Sequence, residues 1–465
     1  MKKFAVIFLI LLSVPFLHSA PAQTETVLYL TISDNGAVRC TFGEVEGCRI
    51  YSLPVTFTRD NDGGLNVQIA DDGISEVLPG VPAVMPSVNP SGDLLAFMAA
   101  ADSGEFKFRH IYVFNLNTGA VTPITDGQTF NSLGQWPRWL SDNQLVFSNF
   151  NDCQTRSDDP GCNRNSRYQD LYVATLSPDG QVVQRVEMVL GGINPEHGLD
   201  TRFCNGEDPA PVPGNPSLVT FHSTSVDGET DVHGDECPWL QGFGGLELSE
   251  NANAFPVVMA LNANSPDGTA AGFVAGEDYW PFDLASAGIN GCAHLDFSDD
   301  GQIAICTEQG SARPYRECST PELSGPQCIQ SGAYSITYNR IFGFVLDGDI
   351  YRNIHQDNPT APLFQHLSPF DLPDVERYWN AEAQCAIYLT KYAEFGPDNV
   401  LLATVLCRGE SQDVGDTPFS RLMLIDIADL VHPVYFDLTG WLEERYPERW
   451  GLGQATGFLG SFGAH

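Results

Sequence analysis

The chain has 465 residues and carries 23 Lys+Arg against 59 Asp+Glu, a formal net charge of −36. So acidic a surface repels phosphate backbones and anionic lipid, which excludes nucleic acid as a partner. With 44 glycines and 31 prolines spread along it, the chain is expected to form many short elements joined by turns rather than long helices.

Residues 1–22 read as a secretory signal peptide. Lys2 and Lys3 precede an apolar run, and Ala20-Pro21-Ala22 supplies small residues for cleavage before Gln23. The run is short for a membrane span, and nothing later reaches spanning length. The mature protein is therefore expected to be a soluble monomer, periplasmic or secreted, with no membrane span. Twelve cysteines agree with export. Sequential pairing is expected: Cys40 with Cys48, Cys153 with Cys162, Cys204 with Cys237, Cys292 with Cys306, Cys318 with Cys328, and Cys385 with Cys407. No C-x-x-C or C-x-x-C-H motif offers a thiolate metal site or a haem.

Along the mature chain, Val27-Leu28-Tyr29-Leu30, Ile50-Tyr51-Ser52-Leu53 and Leu65-Asn66-Val67 read as three strands lacking a first. Residues 84–127 then hold four apolar runs bounded by Gly, Pro and Asn, the pattern of two consecutive antiparallel hairpins. About 44 residues with four strands is the size of one propeller blade. The unit recurs from Gln135, with strands at Leu145-Val146-Phe147-Ser148 and Leu171-Tyr172-Val173-Ala174. It recurs again about the turn Ser298-Asp299-Asp300-Gly301, with outer strands at Ile341–Val345 and Ile350-Tyr351. A last unit pairs Gln384–Ile387 with Leu401–Thr404 about Gly396-Pro397-Asp398-Asn399, followed by Arg421–Ile425 and Val434–Phe436.

Residues 194–290 fit the template poorly. They contain Leu218–Phe221 and Val257–Leu261 as strands, and read either as one blade with a long insertion or as two. Residues 455–459 are the candidate strand that completes the N-terminal unit and removes the open edge. The expectation is an all-β fold, a six-bladed β-propeller with seven blades as the alternative. It forms a single domain over 23–465 with a long insertion around 194–290, stapled by disulfides. Cys292 and Cys306 are equidistant from Asp299, and Cys385 and Cys407 from Gly396, so each pair is expected to face across a hairpin.

These repeats resemble the TolB-type propeller family. The matching residues are Pro86, Asn89-Pro90-Ser91-Gly92, Leu95-Ala96-Phe97, Ile111-Tyr112-Val113, Thr118-Gly119 and Ile124-Thr125, and again Phe297 through Gly301 with Ile303-Ala304-Ile305. The α/β domain preceding the propeller in TolB itself has no counterpart here. The resemblance implies the fold. Six-bladed relatives include binding scaffolds, peptidase-associated propellers and metal-dependent lyases, so it does not choose a function.

No G-x-S-x-G elbow, P-loop, H-E-x-x-H or dinucleotide fingerprint occurs. Trp136, Trp139, His294 and Trp379 are the candidate ligand-binding residues. They lie near strand starts, where propeller side chains reach either the channel or the gaps between blades. His197, His222 and His233 stand among carboxylates and, with His294, form the candidate set for a divalent metal ion. The leading expectation is a binding or scaffold propeller for a protein partner or small extracellular ligand, with no cofactor. The alternative is a metal-dependent lyase or hydrolase acting on an extracellular saccharide or peptide.

Overall fold

Apolar runs separated by Ser-, Asp- and Gly-containing turns pair here into antiparallel sheets. The computed structural model describes residues 23–33, 40, 47–60, 64–70, 73–100, 109–125, 133–152, 167–190, 207–223, 255–260, 279–281, 293–301, 303–309, 339–345, 362–367, 387–408, 419–428, 434–450 and 456–463. Among these residues the strands form six antiparallel sheets. The first contains β1 (Gln23–Ser33), β2 (Cys48–Arg59), β3 (Leu65–Ile69) and the short β4 (Ser75–Glu76). The second is β5 (Ala83–Val88), β6 (Leu94–Ala100), β7 (Arg109–Asn115) and β8 (Val121–Pro123). The third is β9 (Leu133–Ser141), β10 (Gln144–Asp152), β11 (Arg167–Leu176) and β12 (Val183–Leu190).

The fourth sheet is β13 (Glu207–Val212), β14 (Asn215–Ser223), β15 (Phe255–Ala260) and β16 (Tyr279–Pro281). The fifth is β17 (Ala293–Phe297), β18 (Ile303–Gln309), β19 (Asn339–Val345) and β20 (Pro362–Leu367). The sixth is β21 (Ile387–Phe395), β22 (Val400–Arg408), β23 (Phe419–Asp426) and β24 (Val434–Asp437), followed by helix α1 (Leu438–Arg445). The last strand, β25 (Thr456–Phe462), returns to pair with β1 as the innermost strand of the first sheet. The fold is an all-β propeller of four-stranded antiparallel sheets.

Turn chemistry shows why the repeated sequence gives a repeated shape. Ser177 Oγ accepts from the Val182 amide at 2.9 Å, and Ser298 Oγ accepts from the Ile303 amide at 2.9 Å. Each hydroxyl also donates to the carboxylate two residues on, Asp179 or Asp300. In the second sheet Asn89 does the same work, its Oδ1 accepting from the Leu94 amide at 2.9 Å. Each turn then passes through a left-handed glycine, Gly92, Gly180 or Gly301, with φ of 76°, 70° and 65°.

Each inner strand lies against those of the two neighbouring sheets, in the cyclic order β25, β5, β9, β13, β17, β21. Apolar side chains fill the wedges between sheets. One cluster joins Val84, Leu94 and Met98 of the second sheet to Trp139, Leu145 and Phe147 of the third. Another joins Leu28, Tyr51 and Phe57 of the first sheet to Leu402, Leu422 and Leu424 of the sixth, with Leu442 of α1. The seam between first and sixth sheets is also polar. Arg59 holds the Asp426 carboxylate in two bonds of 2.9 Å and donates to the Asp398 carbonyl.

Several expectations need correction. The outer strand of the fifth sheet is Pro362–Leu367, not the nearer Ile350-Tyr351, which lies outside the described residues. The inner strand of the sixth is Ile387–Phe395, which runs straight into its turn. Its ladder sets Cys407 opposite Tyr388, not opposite Cys385. Cys306 falls level with the bulge between Ala293 and Asp296, so equal distance from Asp299 does not define its partner. The turns centre one to two residues later than Gly396 and Asp299, as the pairs Phe395–Leu401 and Phe297–Ala304 show, and this offset rather than the bulges displaces the register. In the middle region the described strands form one sheet, whose inner strand β13 has no apolar run to mark it. The Cys40–Cys48 disulfide is present. Each of the other five expected pairs includes a cysteine outside the described residues.

Candidate functional site in the channel

The inner strands share one irregularity. Ladder register shifts between Val84 and Ser87 in β5, on either side of Trp136-Pro137 in β9, between Glu207 and Ala210 in β13, and between Ala293 and Asp296 in β17. The ladders of β21 and β25 carry register shifts as well. Proline follows at three of these bulges (Pro86, Pro137, Pro209), where a missing amide proton leaves no gap in the ladder. The residue before it, or its counterpart, takes a left-handed backbone: Met85 at φ 56°, Trp136 at 53°, Asp208 at 46° and His294 at 53°. Such a conformation costs a non-glycine residue on the order of 1–3 kcal/mol. Its return here is that Trp136, Asp208 and His294, on consecutive inner strands, line one pocket.

Three of these four residues meet. The rings of Trp136 and His294 lie 5.0 Å apart between centroids, tilted by 47°. Nδ1 of His294 is in close contact with the Asp208 carboxylate, and both side chains are at most a tenth exposed. With Arg138, Pro209, Leu295 and Ala393 they line a pocket. Its free volume, about 20 Å³, suits one water-sized group and no whole organic ligand.

Behind the pocket runs a bridge across the channel. Arg138 Nη1 meets Glu394 Oε2 at 2.5 Å, and β9 and β21 stand opposite one another in the ring order. The other Glu394 oxygen accepts from Ser461 Oγ at 2.9 Å, and that hydroxyl in turn accepts from the Val88 amide at 3.3 Å. Asp296 Oδ2 accepts from the Phe395 amide at 2.7 Å. Burial pushes the Asp296 carboxyl up to about 7, with Arg138 pulling it down and Glu394 pushing it further up. Arg138 itself is held above its ordinary value: burial favours the neutral form, but Glu394, Asp296 and Asp208 together outweigh it.

Of the residues singled out from sequence, Trp136 and His294 are brought together in the channel. Trp139 is not part of this group. It is 5% exposed within the core between the second and third sheets, and its indole N–H donates to the Ser87 carbonyl at 2.9 Å. His222 lies on β14 across from Glu207, the residue before Asp208. Trp379, His197 and His233 lie outside the described residues. Among the described residues no three His, Cys, Asp or Glu side chains are grouped as a metal site.

Asp208, Arg138, Asp296 and Glu394 escaped sequence reading. The signal for Asp208 existed, since Asp208-Pro209 repeats the spacing of Met85-Pro86 and Trp136-Pro137. The bridge had none, because Arg138 and Glu394 are 256 residues apart and only ring closure makes them neighbours.

Fold and site together define a β-propeller with a polar pocket in its channel. No protein-family model matches the chain, and no curated protein matches it. Among solved structures it is similar to Kuenenia stuttgartiensis hydrazine synthase, at 11% identity and a TM-score of 0.43, over 96% of this chain and 47% of that one. It is similar to the acylaminoacyl peptidase of Pyrococcus horikoshii, at 11% identity and a TM-score of 0.35, over 89% of this chain and 44% of that one. A third is the β-propeller domain of the Trilobed protease from Pyrococcus furiosus, at 12% identity and a TM-score of 0.31, over 83% and 78%. The chain spans less than half the length of the first two. Likenesses at this level carry no inference about function.

Proposed function

We propose that this is an exported binding propeller, a single domain whose six sheets are six blades of a closed ring of the TolB-like kind. Its ligand or protein partner inserts one polar group into the channel pocket. The convergence of Trp136, Asp208 and His294 from equivalent bulges on three successive inner strands carries the reading. Strained backbone repeated to bring an aromatic ring, a carboxylate and an imidazole to one small cavity is what a recognition site requires. Export rests on the signal-like N-terminus. The Cys40–Cys48 disulfide fits an oxidising compartment.

The test is a panel of extracellular oligosaccharides and peptides, screened for binding to the purified protein by calorimetry. Hits are then measured against Trp136→Leu and His294→Gln variants whose circular dichroism matches the parent. A ligand whose affinity falls about tenfold or more in both variants supports the reading. Ligands bound equally by parent and variants would place recognition elsewhere. Turnover of a bound saccharide or peptide, abolished by chelator, would replace this reading with that of a metal-dependent hydrolase or lyase.

A further inference from the structure

We propose that the channel pocket selects an uncharged hydroxyl, and that its ligand is a neutral saccharide inserting one hydroxymethyl group. The inference rests on the reading of the pocket as the recognition site and adds the chemistry of what enters it.

Size makes the first selection. A free volume of about 20 Å³ admits one water-sized group. A carboxylate, phosphate, guanidinium or amide brings two or more polar heavy atoms and is too large. The pocket is also blind, because the bridge from Arg138 to Glu394 spans the ring from β9 to β21 behind it. A protruding end enters, and a chain does not pass through. Of the polar end groups, a hydroxyl and a primary ammonium fit.

Charge makes the second selection. Arg138 and Asp208 line the pocket together, one a cation and the other an anion. An entering ammonium meets the guanidinium of Arg138, and an entering anion meets the carboxylate of Asp208. An ion of either sign therefore gives up its water for a site that partly repels it. A hydroxyl both donates and accepts. It accepts from a guanidinium N–H of Arg138, which gives Nη1 to Glu394 and carries further donors. It donates to the Asp208 carboxylate, whose oxygens hold room for more than the His294 contact. Both bonds are charge-assisted, the stronger kind. Pro209, Leu295 and Ala393 give an apolar wall for the carbon that bears the hydroxyl.

Trp136 is 6% exposed and leaves no open ring face for stacking, so this one group carries the recognition. Secondary hydroxyls sit on the sugar ring itself, and the hydroxymethyl is the arm that reaches. A neutral saccharide also escapes the repulsion that 59 Asp+Glu against 23 Lys+Arg impose on anionic ligands. A serine side chain brings backbone amides that need partners of their own.

The experiment titrates the full chain with glucose, galactose and mannose, followed by the indole N–H resonance of Trp136, assigned by its loss in Trp136→Phe. Each hexose is compared with its 6-deoxy, 6-amino-6-deoxy and uronic acid forms, which change only the hydroxymethyl group. At least one hexose should move the resonance, and its three altered forms should bind about thirtyfold more weakly. Removing the bridge, Arg138→Met with Glu394→Gln, should bring the amino form within a few-fold of the alcohol, because no guanidinium then opposes it. Unchanged selectivity in that double variant would overturn the proposal, and the hexose series in the parent decides alone should the variant not fold. An altered form that binds the parent as tightly as its alcohol also overturns it. So does a serine peptide that moves the resonance where no sugar does. Both of those results leave the pocket standing as the recognition site. Sugars or peptides that bind without moving the Trp136 resonance would overturn that reading as well.

Discussion

Arg138 shows how far a single side chain in this fold can reach. It stands between two tryptophans in the run Trp136-Pro137-Arg138-Trp139, yet its partner lies across the ring on β21. Replacing it with Met removes the cation and leaves Glu394 and Asp296 side by side with no counter-charge. Uncompensated buried charge of this kind costs on the order of 3 kcal/mol. A urea titration of Arg138→Met should show a lower midpoint at pH 8 with an unchanged slope. Adding Glu394→Gln should restore part of the loss, because the orphaned carboxylate is then gone. If the double variant were no more stable than the single one, lost packing of the arginine stem would be the cause. Sequence could nominate Trp136 and His294, since aromatic and imidazole side chains near strand starts are visible there. It could not show that His294 spends its Nδ1 on Asp208 or that Trp139 is committed to Ser87.

At the level of elements, turns were the most legible feature and bulges the least. Ser-x-Asp-Gly carries its own instructions: a hydroxyl for the returning amide, a carboxylate to fix the hydroxyl, and a glycine for the left-handed step. A bulge is imposed by how an inner strand must curve around the axis and has no local signature, and in β21 and β17 the turns also centre one to two residues later than simple counting placed them. The hairpin turns also separate two costs of replacing glycine. Gly119 has φ +74°, and a Cβ there would meet nothing within 4 Å, so Gly119→Ala carries only backbone strain, about 1 kcal/mol. Gly180 has φ +70°, and a Cβ there would come within 2.7 Å of Leu94 in the neighbouring sheet. Gly180→Ala should therefore cost more, about 2–3 kcal/mol, since Leu94 is fully buried and has little room to shift. Thermal melts of the two variants test the order. Equal losses would mean that the wedge between second and third sheets yields more readily than its packing indicates.

For the whole molecule the controlling quantity is the excess of acids, 59 against 23 Lys+Arg. The composition announced this much, but where the few cations go emerges only from the folded ring. Arg59 is placed at the seam with Asp426, Arg138 across the channel with Glu394, and Arg421 against Glu443 beneath α1. Salt acts on the two populations in opposite directions. It screens repulsion among exposed carboxylates, which opposes the compact state, and it weakens attraction in the pairs. The pairs sit in sites a quarter exposed or less, where screening is poor, whereas the surplus carboxylates have too few cations to pair with. Repulsion should dominate. Raising sodium chloride from about 20 mM, where the Debye length exceeds 20 Å, to about 300 mM, where it is near 6 Å, should raise the melting temperature by several degrees. Most of the rise should come below about 150 mM, the range in which screening changes fastest. A melting temperature that fell over that range would mean that the seam and channel pairs, rather than surface repulsion, set the stability of the ring.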